Sequence, residues 1–382
     1  MTPIRSLPAI VLLLAAPALA APAVKTARLP GGGVQPQVAV DPATGTVHLV
    51  YLTGDPAAAD VMYAKSADAG TTWSPAVRVN TRPGAAIAMG TVRGAQVAVG
   101  RGGRVHVAWN GSRTAEPKAP GGATPLLYAR AGDDGRFEPE RNLAVDHVGL
   151  DGGCSVAAAA DGHVYVAWHA PTAPGAGEEN RVLWVVESGD DGKTFAAERP
   201  LSTAKQGACG CCGTRVLSAA GRLWAVYRSA YGGRTKRDVR LATQAAAGEP
   251  TDVKLVEQQS AMCPMSTFAM AAGPAGVVAV YEGGDGLAWV MLDPKTGTVA
   301  GDPHPLAGRG AKHPSVAVAK DGTMLIAWAE GTGWNKGGTV RWAVIDPTGK
   351  QAAGGDGRAA GLPAWDLPAA IAKPDGSFVV LF

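Results

Sequence analysis

Three of the chain's five cysteines, Cys209, Cys211 and Cys212, fall within four positions of the string GACGCCG; the others are Cys154 and Cys263. Sulfur crowded in this way has a short list of chemistries. In an oxidising compartment thiols cross-link, and an odd number of cysteines leaves at least one free or intermolecular. Pairings such as Cys212 with Cys263 and Cys154 with Cys209 would staple neighbouring segments. Adjacent Cys211 and Cys212 are poor partners for each other, because a vicinal bridge closes a strained ring. The alternative is a soft-metal site, in which Cys209, Cys211, Cys212 and Cys263 join the thioether of Met262 or Met265, or a nearby histidine, to hold copper or zinc. C-x-C-C is not a usual zinc spacing and no H-x-x-x-H partner exists, so disulfides are the leading expectation and no cofactor is required. A redox thiol is the third reading.

A second set of residues could handle an anionic ligand. Arg93, Arg228 and Arg237 offer guanidinium groups that pair with carboxylates in two-point fashion. Asp151 and Glu282 are candidates for the two carboxylates that flank a glycosidic bond during hydrolysis. His169 is placed for proton transfer, and Asn110 and His313 for hydrogen bonds to a ligand. Arg237 is followed by Asp238 and could equally serve a local ion pair.

Whether these residues meet depends on the elements that carry them. One pattern recurs seven times: a short apolar run, a Gly-containing turn, and a second run ending in an aromatic, as in RGAQVAVGRGGRVHVAW and HPSVAVAKDGTMLIAW. The closing residues are Tyr51, Trp109, Trp168, Tyr227, Tyr281, Trp328 and Phe382, spaced 47 to 59 residues apart. Short strands at a period near 50 predict an all-β propeller with one four-stranded blade per repeat. Seven blades are preferred and six are the fallback. The segment PAVKTARLPGG resembles the outer strand of the first repeat and is expected to close the ring against the last blade.

In such a blade, with strands A to D running outward, the A–B and C–D turns share one face and the B–C and D–A loops the other. The A–B turns are terse, whereas the D–A loops carry Arg93, Asp151, all five cysteines and His313. Asn110, His169, Arg228 and Glu282 directly follow closing aromatics. Both sets should therefore line one mouth of the central channel. His48, His106 and His163 lie within or beside strands and read as structural.

The first residues, MTPIRSLPAIVLLLAAPALA, have one arginine, an apolar run and small residues at Ala18 and Ala20. This predicts a signal peptide over 1–20, cleaved near Ala20, and a single domain over 21–382 in the secreted or periplasmic space. No later run is long enough to span a membrane. A net charge of +3 argues against nucleic acid as a partner. A monomer is expected.

Two strings between strands C and D, SADAGTTW (Ser66 to Trp73) and SGDDGKTF (Ser188 to Phe195), resemble the Asp-box, or BNR repeat, of the sialidase superfamily. AGDDGRF (Ala131 to Phe137) looks like a worn copy. GACGCCG and the CPMS string at Cys263–Ser266 are similar to strings in secreted bacterial sialidase-like proteins. The resemblance implies an exported propeller and, if it extends to activity, an exo-acting glycoside hydrolase. The sialidase catalytic pattern carries over poorly. Arg28-Leu29-Pro30 looks like the family's Arg-Ile-Pro motif but precedes the first inner strand, and Tyr231 would be the nucleophile. The function expected is recognition, or hydrolysis, of an extracellular glycan or other anionic small ligand. The alternatives are a metal or thiol-redox protein built on the cysteines and a non-catalytic interaction scaffold.

Overall fold

The computed structural model describes residues 21–203, 205–233, 235–246, 248–260 and 262–382, so the expected signal peptide lies outside the described residues. Seven sheets follow one another along the chain, six of four strands and one of three. The first blade has Val34–Val40 innermost, then Val47–Asp55, Ala58–Ser66 and Val77–Arg78. Inner strands of the next five begin at Gln96, Ser155, Arg215, Ala269 and Ala311. Helix is confined to three single-turn segments among the described residues, and none of these is long and apolar enough to cross a membrane.

The core is divided rather than central. Each blade buries both faces of its sheet, so apolar residues collect in seven layers, one between each pair of neighbours. All seven closing aromatics are buried in these layers. That explains their regular spacing: an aromatic at the end of the second strand fills the wedge where two blades diverge from the channel.

The seventh blade closes the ring. Ala369–Ala372 and Phe378–Leu381 form a hairpin, and Val24–Ala27 adds to it in parallel, pairing Val24 with Phe378 and Ala27 with Leu381. Val24 packs toward blade six while Ala27 and Leu29 pack toward blade one. Arg28 donates to the Gly361 carbonyl at 2.9 Å and lies 4.2 Å above the Phe382 ring. The Arg28-Leu29-Pro30 string thus serves the closure. Deleting residues 24–31 removes the third strand and Leu29, whose burial alone is worth about 2–3 kcal/mol. The expected result is a lower melting temperature, read by calorimetry; a truncated protein that melts with the parent would show that the ring does not need this strand.

The Ser66–Trp73 and Ser188–Phe195 strings fold alike. In the first, Asp68 accepts from the Thr72 amide at 2.8 Å and the Thr72 hydroxyl at 2.7 Å; in the second, Asp190 accepts from the Thr194 amide at 2.8 Å and the Thr194 hydroxyl at 2.6 Å. Those bonds favour the charged form and hold both carboxylates well below the usual range. The turns then project an aromatic onto the preceding blade. Phe195 meets Tyr128 edge-on at 5.0 Å, and Phe137 of the worn copy meets Tyr63 at 5.2 Å. Chemically these turns are blade-to-blade fasteners.

Candidate functional site

The D–A and B–C loops converge over the channel on the face opposite those turns. Five of them place a non-glycine residue in the left-handed region at the start of the inner strand: Gln35, Thr91, Met265, His313 and Trp365, with φ between 48° and 62°. Such conformations cost free energy and persist only where the surroundings enforce them. Here the loops fold inward and narrow the throat. Arg215 crosses it and donates to the side-chain oxygens of Gln37 at 3.0 Å and Gln96 at 2.6 Å. The larger opening, about 840 Å³, is on the other face, between the A–B turns of the first four blades.

On the loop-rich face, Arg93 of blade two binds Asp151 of blade three through two contacts, at 2.6 Å to Oδ1 and 2.7 Å to the backbone carbonyl. Asp151 remains half exposed at this rim. Trp334, from the B–C loop of blade six, reaches across to the same place. A Cβ added at Gly90 would sit 3.3 Å from the Trp334 ring and against the Arg93 guanidinium, so this close approach requires glycine. Trp334 is 55% exposed, unusual for a residue of its size. It was not among the sequence candidates. A tryptophan in the otherwise polar, glycine-rich run GTGWNKGG was the signal available.

The other candidates lie deeper. Asn110 donates to the Gly152 carbonyl at 2.8 Å and accepts from the Cys154 amide at 3.2 Å, pinning the blade-three loop. His169 is buried; Arg181 donates to its Nδ1 at 3.2 Å, so the proton sits on Nε2 and is donated to the Cys212 carbonyl at 3.0 Å. Burial, reinforced by the Arg181 charge, depresses its pKa to about 4, which keeps it neutral. His313 is likewise buried, with a pKa lowered to about 3 by burial and Lys312.

Arg228 is turned inward. Its guanidinium donates to the Arg237 and Glu282 carbonyls at 3.0 and 2.7 Å, to Ser266 Oγ at 3.0 Å and to Gln258 Oε1. The Glu282 carboxylate lies 3.9 Å from it and has one buried oxygen without a hydrogen bond. Arg237 is also buried and donates to Glu178 at 3.0 Å, but its Nε and Nη1 have no acceptor.

These two arginines flank the cysteines. The Cys209 amide donates to the Arg228 carbonyl at 2.9 Å, and the Gly210 amide donates to Glu178 at 2.7 Å. The Gly213 amide reaches the Ser266 carbonyl of blade five at 2.9 Å. Cys211 is bonded to Cys263, with Cα atoms 6.7 Å apart, joining blades four and five. The pairing of Cys212 with Cys263 is thereby corrected: the Gly210 turn directs Cys211 outward to the exposed Cys263 and Cys212 inward. Cys154 does not bridge to Cys209 either; it is buried in the apolar layer between blades two and three, where burial pushes its thiol to about 12.

Cys209 and Cys212 remain thiols with sulfurs 2.9 Å apart, and Cys209 is 3.5 Å from the Cys211 sulfur. Cys212 is drawn down to about 7: burial raises it, but the hydrogen bond from Cys209 and the Arg228 charge outweigh burial. Cys209 moves up, through its hydrogen bond to Cys212 and then burial. Cys209 therefore keeps the proton of the pair. Met265 is half-buried beside this cluster in sequence, and Met262 is exposed.

No protein-family model matches the chain, and no curated protein matches it by sequence. Solved structures do match in fold. A lectin, BP39L, from Burkholderia pseudomallei aligns over 91% of this chain and 95% of its own with a TM-score of 0.60 and 14% identity. The α-L-arabinofuranosidase Arb93A of Fusarium graminearum covers 86% and 98%, with a TM-score of 0.53 and 11% identity. The NanB sialidase of Streptococcus pneumoniae covers 77% and 64%, with a TM-score of 0.51 and 8% identity. The chain has the sialidase-like β-propeller fold.

Proposed function

We propose that this is an exported propeller that recognises an anionic extracellular glycan on its loop-rich face by binding rather than by turnover. The observation that carries the reading is the exposed Trp334 beside the Arg93–Asp151 pair, assembled from blades six, two and three. A sugar ring presents an apolar face of C–H groups and an equator of hydroxyls. An exposed indole can cover the first, while a guanidinium and a carboxylate bond the second and draw an acidic substituent. The channel throat beneath is filled by Gln37, Gln96 and Arg215, which suits a ligand lying across the rim. Asp151 is occupied by Arg93, and Arg228 has no donor left for a substrate except its Nε, which leaves little to assemble a hydrolytic pair. Fold neighbours described as a lectin, a sialidase and an arabinofuranosidase are compatible with carbohydrate as the ligand class. The disulfide suits an oxidising compartment, as the proposed export requires.

The test is a glycan array followed by a panel of chromogenic exo-glycosides, sialosides included. Binding to acidic glycans is expected, with Trp334→Ala and Arg93→Gln each weakening it by roughly 10-fold or more, as for central Trp and Arg contacts elsewhere. Turnover that Glu282→Gln abolishes would replace this reading with a hydrolase. Absence of both binding and turnover would leave an interaction scaffold.

A further inference from the structure

The cysteine cluster is not used by the glycan reading, yet it brings four sulfurs together within one small volume. The sulfurs of Cys209, Cys211, Cys212 and Cys263 all lie within 4.8 Å of one another. A tetrahedral ion with metal–sulfur bonds of about 2.3 Å needs its four sulfurs roughly 3.8 Å apart. The backbone already has the right scale, so loading requires only side-chain adjustment.

The supporting shell is built as well. Three of the four cysteines sit in one turn fixed by amide bonds to Arg228, Glu178 and Ser266. His169 holds that turn from below through the Cys212 carbonyl, and Lys312 holds the Cys263 loop by donating to the Pro264 carbonyl at 2.6 Å. Outer contacts of this kind orient metal ligands.

Charge supplies the second, independent observation. Arg237 is buried, and two of its nitrogens, Nε and Nη1, have no acceptor. Leaving buried donors of a charged group unpaired is costly. With Cys211 and Cys263 bonded to each other, Cys209 and Cys212 carry at most one charge between them, and neither sulfur accepts from these nitrogens. Four thiolates around a divalent ion carry two net negative charges, which Arg237 and Arg228 are placed to offset. We propose that Cys209, Cys211, Cys212 and Cys263 form a four-sulfur site for one thiophilic d10 cation, zinc(II) or copper(I), that loads when the Cys211–Cys263 bond is opened.

The opening step consumes a two-electron reductant, a dithiol or a phosphine. A dithiol reduces the bond to two thiols and leaves as its own disulfide; a phosphine does so with one water and leaves as its oxide. Ion binding then releases the four thiol protons. Cys263 is exposed, which gives both the reductant and the ion a route in. Cys154, buried in a different layer, takes no part.

The full chain is treated with a phosphine, desalted without oxygen, and titrated separately with zinc(II) alone and copper(I) alone against a chromophoric chelator. One ion per chain is expected after reduction, with far weaker binding to unreduced protein. Arg237→Gln should weaken binding by about 10–100-fold, the usual effect of an outer-shell change. Cys209→Ser and Cys212→Ser should lose at least as much, and Cys154→Ser nothing. The bound ion should also protect Cys209, Cys211, Cys212 and Cys263 of the unaltered protein from alkylation, a readout that stands even if a variant fails to fold. The proposal is overturned if the reduced chain retains no ion, if alkylation of these four is unchanged by the ion, or if Cys154→Ser weakens binding as much as Cys212→Ser.

Discussion

Arg228→Met is expected to destabilise the protein by about 3–5 kcal/mol, the cost of removing one partner from a buried charged network. The side chain is almost fully buried and ties together segments far apart in sequence: Gln258, Ser266 and the Glu282 carbonyl, as well as the Arg237 carbonyl. Methionine fills similar volume but leaves each of those acceptors without a donor, and it leaves the Glu282 carboxylate without its cation. Lysine is no remedy, because one ammonium on a flexible stem cannot reproduce the planar fork that meets four acceptors. Urea unfolding would measure the loss. Arg93→Met is the control, since the Arg93–Asp151 pair sits at the rim where such pairs are worth about 0–1 kcal/mol. Equal costs at the two positions would mean that Arg228 is not the structural centre described.

The second large effect is acid destabilisation well above the range where carboxylates titrate. His169, His313 and His106 are buried and neutral, with pKa values lowered to about 4, 3 and 4, each chiefly by burial. Their unfolded value is near 6.5, so between pH 6.5 and 4 the unfolded chain binds protons that the folded chain refuses. Stability is fully present above about pH 6.5 and falls as pH drops, by up to ~1.4 kcal/mol per pH unit for each histidine. Asp366 works in the opposite sense. It is buried and its pKa is raised to about 7, so its contribution is present at low pH and is lost as pH rises toward 7. One aspartate cancels about one histidine, and the net slope remains downward with acid. Unfolding midpoints in urea between pH 7.5 and 4.5 should show it. His169→Gln keeps a donor for the Cys212 carbonyl and should flatten the curve by one proton; an unchanged slope would contradict the buried neutral state.

The ring was readable because its repeat is a packing requirement: every inter-blade wedge needs an aromatic, and Tyr51 through Phe382 supply one each. The closing strand was readable because PAVKTARLPGG resembles the outer strand of the first repeat, and Val24–Ala27 does pair with Phe378–Leu381. Placement of the loop residues on one face also followed from strand alternation. Depth within that face did not. Arg93 precedes an inner strand and Arg228 ends a second strand on the same face, yet one is at the rim and one inside, because Gln258 and Ser266 from another loop cover Arg228. The cysteine pairing turned on which side of one tight turn each side chain leaves, a distinction that spacing does not encode. Trp334 escaped because its importance depends on a loop of blade six crossing to Gly90 of blade two.

The parallel seam of the seventh blade has a mechanical side. Val24–Ala27 and Phe378–Leu381 point the same way, and one is continuous with the N-terminal side of the chain while the other leads toward Phe382. Tension applied to the two ends would drag these strands in opposite directions along their common axis. Every bond of the seam, including Phe378 to the Ala23 carbonyl and Phe382 to the Ala27 carbonyl, would then bear load at once. An antiparallel clasp pulled the same way would peel open one bond at a time. A tethered copy of this protein is thus held shut by a joint loaded in shear, and stretching it should strain the whole hoop before the joint slips.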